Sequence, residues 1–526
     1  MMEKTLATHF DEARMDAIFA PLDQCRLPGA AVAVAIDGKP VYRRGFGLAH
    51  MELPVILGPA MRMRIGSTTK HFVALAFLLL CEEGRASLDN PIGRYVPEIH
   101  EASGHATVRQ LMGHTSGIRD AMTISMLING AATRVSDADI LELYQTLADV
   151  DTAAGTSWSY NNGAYVLLTA AIERITGESL ETVLRERIFE PVGMHDTMLR
   201  RSDNDFVANS AALHFRTAEG RFTRDYMGSE ISGPGGIVST MDDMLRWLRH
   251  MDDPRVGSPE SWSLMREPHR LQNGTSTGYG LGLVMGHYRG VETISHAGGV
   301  VAGNSQMIKV PAARLDISIA VNRADVNGAD LANKIIDACV EGLDPVIEVP
   351  FEKRTGRFLS RSSGRVVELL AHGDMQLMAV DGQPPLPVTD DGQGNLKLPD
   401  IMSFILQTAR IEDSTLILTE FGNTDHLEPI EAEPGATIGD RAGRFIASAA
   451  ATRAEIWEAG GASHLKLVGA VGTASYQLTP VTPAIWKASC VGAFSMLGGI
   501  LTLAGDGDGF EFASGRMRAI RFARAG

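Results

Sequence analysis

Ser67-Thr68-Thr69-Lys70 sets a hydroxyl and an ammonium three residues apart at the head of the most apolar stretch of the chain, Phe72-Val73-Ala74-Leu75-Ala76-Phe77-Leu78-Leu79-Leu80. In a helix, that spacing puts both side chains on one face of the first turn. A helix apolar on every side belongs in a core, so the pair sits at the mouth of something buried. Burial disfavours the ammonium and should lower the Lys70 pKa, letting Lys70 take a proton from Ser67. The helix N-terminus favours the negative charge that develops beside it. The spelling alone is not diagnostic: Ser463-His464-Leu465-Lys466 repeats it in a predicted strand, where side chains three apart face opposite ways.

Two further motifs give the pair its context. Ser159-Tyr160-Asn161-Asn162 lies in a Gly/Ser/Asn-rich loop just before a helical pattern, where a scaffold holds functional side chains. A tyrosine near a cationic lysine is suited to general base and acid work. Asn162 offers a donor and an acceptor to a substrate amide. His296-Ala297-Gly298-Gly299 follows a predicted strand, Glu292–Ser295. Its glycines let a substrate backbone run along the strand edge, and one of their N–H groups can pair with that of Ser67 as an oxyanion hole.

The elements that must position these residues are helical in the middle of the chain and extended at both ends of the first part. Ala30–Ile36, the turn Asp37-Gly38 and Val41–Gly47 read as a hairpin. Helical spacing covers Phe72–Glu83, Asp137–Ala148, Ala164–Thr176, Leu180–Ile188, Met241–Met251 and Gly328–Glu341. Glu292–Ser295, Ser305–Lys309 and Ile317–Asn322 read as strands that join the amino-terminal ones in a sheet with helices around it, an α+β arrangement. Beyond about Pro345 short alternating segments separated by Gly, Asp and Pro predict an all-β tail. Gly356-Arg357-Phe358-Leu359-Ser360 recurs as Gly443-Arg444-Phe445-Ile446-Ala447, so the tail reads as two similar β modules divided near Glu428–Pro434. The expected division is 1–344, 345–434 and 435–526.

Composition narrows the partners. In 526 residues, 48 Lys+Arg against 63 Asp+Glu leave a net charge of −15, and with no basic run of five or more the chain should repel nucleic acid and anionic membranes. The run Phe72–Cys81 is about half of what a membrane span needs. Four scattered cysteines, Cys25, Cys81, Cys339 and Cys490, form neither a zinc pattern nor a disulfide framework. No metal or organic cofactor is expected. Met1-Met2-Glu3-Lys4-Thr5 leads to Asp11 and Glu12 rather than to an apolar leader, which predicts a cytoplasmic protein.

Together Ser67-x-x-Lys70, Tyr160-x-Asn162 and His296-x-Gly298 resemble, in order, the three signature boxes of the serine β-lactamase and penicillin-binding protein superfamily, in the class C-like, peptidase S12 branch. Leu111–Gly117, Ile188–Met194, Gly235–Thr240 and Tyr279–Leu283 resemble accessory stretches of that branch. The resemblance implies an antiparallel sheet flanked by helices and an acyl-enzyme mechanism. In it Ser67 attacks a carbonyl, Lys70 and Tyr160 shuttle its proton, His296 belongs to the catalytic set, and the N–H groups of Ser67 and Gly299 hold the oxyanion beside Asn162 and Gly298. The third box is His-Ala-Gly where typical β-lactamases have one like Lys-Thr-Gly. Two β-barrel-like modules after the catalytic part are similar to the three-domain D-aminopeptidases, in which a loop of the last barrel enters the active site. The corresponding stretch is Gly469–Pro483, with Tyr476 and Thr479 as candidate specificity residues and no acidic side chain.

The resemblance therefore implies a hydrolase for small peptides or amino-acid amides, D-configured, with homodimer formation open. An esterase or a peptidase for linear non-ribosomal peptides, a β-lactamase or penicillin-binding carboxypeptidase, and a non-enzymatic penicillin-recognising protein are the alternatives.

Overall fold

A computed structural model describes residues 6–217, 219–224, 226–346, 352–398, 407–491, 497–505, 507–515 and 517–525; Met1–Thr5 lie outside the described residues. The first part is built on a six-stranded antiparallel sheet whose spatial order is Val284–Tyr288, Val291–Val300, Gly303–Val310, Leu315–Val321, Ala30–Ile36 and Lys39–Phe46. Asp37 and Gly38, with φ of 53° and 68°, make the tight hairpin between the last two strands, the left-handed pair that a two-residue turn requires.

Strand period explains the layering. Ala31, Ala33 and Ala35 face one apolar cluster and Ala30, Val32 and Val34 the other, all at or near zero exposure, because successive side chains leave a strand on opposite faces. The alanine face lets helix Met241–His250 lie close, and helices Thr69–Glu82, buried through Leu78, and Gly163–Thr176 pack into the same apolar cluster. The valine face is covered by Glu12–Phe19 and Gly328–Cys339. Each large apolar side chain so buried, such as Phe72 or Phe77, contributes about 1.5–3 kcal/mol.

The structure extends several expected elements and adds others. The buried helix begins at Thr69, so Lys70 is in its first turn and Ser67 in the 3-10 turn Gly66–Thr68 just before it. The helix expected over Leu180–Ile188 runs as α only to Leu184, and Arg185–Phe189 continue it as a π segment. The strand Val284–Tyr288 and the helix Ala121–Asn129 had no counterpart in the sequence reading.

The tail forms two closed eight-stranded antiparallel barrels, spanning Gly356–Pro429 and Gly443–Arg524. The two echoed segments open the first strand of each, and Phe358 and Phe445 turn into their respective cores. Ser463 is buried and Lys466 half-buried on the strand Ala462–Val468, as side chains three apart on a strand must differ. The barrels touch each other through Lys487, whose Nζ donates to Glu368 Oε2 at 2.5 Å, and Gln383, which donates to the Gly498 carbonyl at 3.1 Å. The core of the second barrel is continuous with that of the first part around helix Ala121–Asn129.

Candidate active site

Lys70 has no solvent exposure, and its Nζ donates to Ser67 Oγ at 3.1 Å, Asn162 Oδ1 at 2.8 Å and the Pro234 carbonyl at 2.6 Å. Three acceptors match the three protons of an ammonium. The same nitrogen lies 4.7 Å from the ring centroid of Tyr160 and 5.2 Å from that of Tyr165. Thus side chains from the first two motifs meet at one nitrogen. The turn carrying Ser67 is seated on the third: Thr68 Oγ1 donates to the His296 carbonyl at 3.2 Å, and Ser305 Oγ to the Ile65 carbonyl at 2.8 Å. That seating needs glycine at 298, where a Cβ would come within 1.9 Å of the Ile65 oxygen. Strand Val284–Tyr288 pairs only with residues 291–295, so beyond it one edge of strand Val291–Val300 has no sheet neighbour among the described residues. Ala297 and Gly299 there line a cavity together with Ser67.

The loop bearing Tyr160 is fixed from behind by residues 114–120. Asp120, 1% exposed, caps helix Ala121–Asn129 by accepting from Met122 N and Thr123 N, and also accepts from Asn162 N at 3.2 Å and Gly163 N at 2.8 Å. His114 Nδ1 accepts from Asn161 N at 3.1 Å, and its ring centroid lies 4.3 Å from that of Tyr160 with the planes tilted by 41°. Neither residue was singled out from the sequence, although an Asp directly before the apolar run 121–128 is a recognisable N-cap signal. Asp120→Ala strands four N–H groups, those of Met122 and Gly163 buried and those of Thr123 and Asn162 half-buried, so it should destabilise the fold by about 2–4 kcal/mol and lower kcat through the displaced Tyr160 and Asn162. Thermal denaturation and steady-state kinetics measure the two effects; a stable variant of normal kcat would show that the loop positions itself.

His296 occupies a different situation from Lys70. It is 4% exposed; Nδ1 lies 2.7 Å from the Ala297 carbonyl, which only accepts, so Nδ1 carries the proton and Nε2 accepts from the Tyr279 hydroxyl at 2.9 Å. Burial, and next the Lys70 ammonium, hold its pKa down to about 3. The stability this contributes is present above its unfolded value of 6.5 and is lost as pH falls toward 3. His296 is neutral at pH 7 and well below it. In His296→Gln, which retains an acceptor for Tyr279, the midpoint of the acid limb of kcat/KM should therefore stay where it is in the unaltered protein. A displaced midpoint would show that His296 titrates in that limb.

The cavity measures about 900 Å³ and is lined by all three parts of the chain. Ser67, Tyr160, Asn162, His296 and Gly299 come from the first part, Arg365, Asp381, Glu420 and Phe421 from the first barrel, and Glu511, Met517 and Arg518 from the second. The candidate specificity residues lie elsewhere. Tyr476 is buried and donates to the Leu127 carbonyl at 2.6 Å, bracing the second barrel against helix Ala121–Asn129, and Thr479 is exposed on the same strand; neither lines the cavity. Gly469 and Gly472 are pressed against Asn129, where a Cβ would come within 2.2 Å and 2.6 Å respectively. The second barrel instead presents the start of its last strand. Arg119 donates to the Arg518 and Ala519 carbonyls at 3.1 and 3.3 Å, and Asp151 accepts from Arg518 N at 3.1 Å. Among the described residues no group of three or more His, Cys, Asp or Glu side chains is placed to hold a metal ion, and no helix is long and apolar enough to cross a membrane.

Comparison with known proteins bears on this geometry. The family model described as Beta-lactamase matches residues 15–340. A D-aminopeptidase of Brucella melitensis biotype 2 is 26% identical over 469 residues, which cover 87% of this chain and 87% of the relative. The octameric penicillin-binding protein homologue from Pyrococcus abyssi superimposes with a TM-score of 0.58 at 22% identity, covering 80% of this chain and all of that one. A D-amino acid amidase from Ochrobactrum anthropi SV3 gives 0.53 at 22% identity, over 62% of this chain and 98% of its own.

Proposed function

Because the chain belongs to the Beta-lactamase family, we propose that it is a serine hydrolase that cleaves the amide bond of small peptides or amino-acid amides with a D-configured acyl residue, through an acyl-enzyme on Ser67. The observation that carries this reading is the fully buried Lys70 nitrogen 3.1 Å from Ser67 Oγ and 2.8 Å from Asn162 Oδ1. As a neutral amine, Lys70 keeps two donors for the Pro234 and Asn162 oxygens and turns its lone pair to Ser67 Oγ. Ser67 Oγ then adds to the substrate carbonyl while its proton passes to Lys70. Tyr160 relays a proton to the leaving nitrogen, the C–N bond breaks and the amine departs. Water adds to the acyl-enzyme by the reverse relay, releasing the acid and restoring the Ser67 hydroxyl. Backbone N–H groups of Ser67 and Gly299 receive the oxyanion in both steps, Gly298 lets the strand edge lie against the Ser67 turn, and Asn162 holds the substrate amide.

The D-configuration is supported by the D-aminopeptidase relatives, which align over most of their length. His296, neutral and bonded to Tyr279, brings no cation to a substrate carboxylate, and this favours amides over penicillins, whose nucleus carries one. The test presents the protein with D- and L-alanine p-nitroanilide, a short-chain p-nitrophenyl ester and a penicillin, and follows turnover together with the mass of the intact chain. Release of p-nitroaniline from the D-anilide in preference to the L-form is the expected result. Faster ester than anilide turnover would move the assignment to an esterase. Absence of turnover and of any Ser67 adduct with all four would overturn the hydrolase reading.

A further inference from the structure

The turn between strands Thr415–Glu420 and Asn423–Pro429 of the first barrel has an unusual occupant. Phe421 and Gly422 have φ of 47° and 78°, the two left-handed positions of a two-residue hairpin that ordinarily take Asn, Asp or Gly. A bulky side chain at positive φ is strained and persists only where its surroundings over-determine it. Here the first part of the chain supplies those surroundings. Asn273 Nδ2 donates to the Phe421 carbonyl at 3.1 Å, and Asn423 Nδ2 to the Thr156 carbonyl at 3.0 Å. Gly422 is so close that a Cβ would meet Thr275 Oγ1 at 2.6 Å.

The consequence is an aromatic ring delivered from a barrel into the wall of the Ser67 cavity. Phe421 is 4% exposed and its ring centroid is 5.1 Å from that of Trp158, two residues before Tyr160. Trp158, Tyr279 and Phe421 form one apolar cluster with Tyr160 packed against it, and all four line the cavity. The charged neighbours are turned to one another: Arg365 pairs with both Glu420 and Asp381. The wall that packs against Tyr160 is therefore aromatic, in a cavity that Arg119, Asp151, Glu511 and Arg518 also line.

We propose that Phe421 is a specificity-determining residue, which with Trp158 receives the side chain of the acyl residue and selects aromatic and large aliphatic side chains over small or charged ones. The inference rests on the hydrolase reading above and adds the substrate class. The experiment compares p-nitroanilides of D-phenylalanine, D-leucine, D-alanine and D-lysine in the full chain. The unaltered protein should favour the phenylalanine and leucine substrates. In Phe421→Ala the ratio of kcat/KM for D-phenylalanine to that for D-alanine should fall about ten-fold or more, the usual scale for loss of an apolar pocket contact. Asn273→Ala, which keeps the ring but releases its carbonyl, should move the ratio the same way by a smaller factor and serves if Phe421→Ala fails to fold. An unchanged ratio in both variants, or an equal loss on all four substrates, overturns the proposal and leaves Phe421 a domain plug. An unaltered protein inert to every anilide overturns the amide-bond reading on which this inference rests, and this inference with it.

Discussion

Ser67→Ala is expected to lower kcat/KM for D-alanine p-nitroanilide by at least about ten-thousand-fold, the scale seen when a covalent nucleophile is removed from a preorganised site. Ser67 sits in the Gly66–Thr68 turn, half-buried, and its hydroxyl accepts from Lys70 at 3.1 Å. Alanine keeps the turn and the seating of Thr68 on the His296 carbonyl. What disappears is the one oxygen that can carry the acyl group. Lys70 keeps its bonds to Asn162 and Pro234, so thermal stability should change little. Intact-protein mass spectrometry with a slowly released acyl donor should show one adduct on the unaltered chain and none on the variant. A variant within a hundred-fold of the unaltered rate would mean that water attacks the substrate directly, and the acyl-enzyme would have to be abandoned.

The architecture was legible because its signals are periodic. The continuous apolar run Ala30–Ile36, the all-round apolarity of Phe72–Leu80 and the short alternating segments of the tail each follow from how strands and helices bury side chains. What escaped was set by tertiary context. Strand Val284–Tyr288 is half-buried along most of its length and contains Gly286 and His287, so it lacks both alternation and a continuous apolar run. The Ser67, Lys70, Tyr160 and Asn162 positions could be read as motifs because the proposed relay needs fixed residue types near fixed elements. Asp120 acts through five hydrogen bonds to residues on both sides of the loop, a pattern visible only after folding.

The same distinction explains the misplaced specificity stretch. Tyr476 was read as a cavity residue on architectural resemblance, yet it alternates inward with Ala474 and Leu478 on a regular strand. Its hydroxyl then meets a helix carbonyl instead of a substrate. Phe421 carried no comparable signal: Glu420-Phe421-Gly422-Asn423 looks like an ordinary turn with an aromatic residue. Only the distance to Trp158 and the two asparagine tethers reveal where the ring goes. Residues contributed by a second domain to a site are the hardest to read from sequence, because no local spacing links them to the chemistry.

Lys70→Met provides the sharpest test of the proton relay. Methionine matches the length of lysine and is apolar, so the buried volume is kept while all three donors are lost. Replacing a buried charge by an apolar group of similar shape is often tolerated. Here the Pro234 carbonyl and Asn162 Oδ1 lose a partner, at a cost of about 1–3 kcal/mol. The variant should fold with a lowered Tm. Turnover should fall by about a thousand-fold or more, since both the base that accepts the Ser67 proton and the cation facing Tyr160 are gone. Lys70→Arg should be as inactive for another reason: the guanidinium cannot give up its charge near neutral pH, and its planar fork overfills a site with no exposure. The informative measurement is the pH profile of Lys70→Met. If Lys70 is the base, raising the pH does not restore kcat. A steep recovery toward pH 10 would instead assign proton abstraction to Tyr160 as its phenolate, with Lys70 serving only to hold Asn162 and the ring in place.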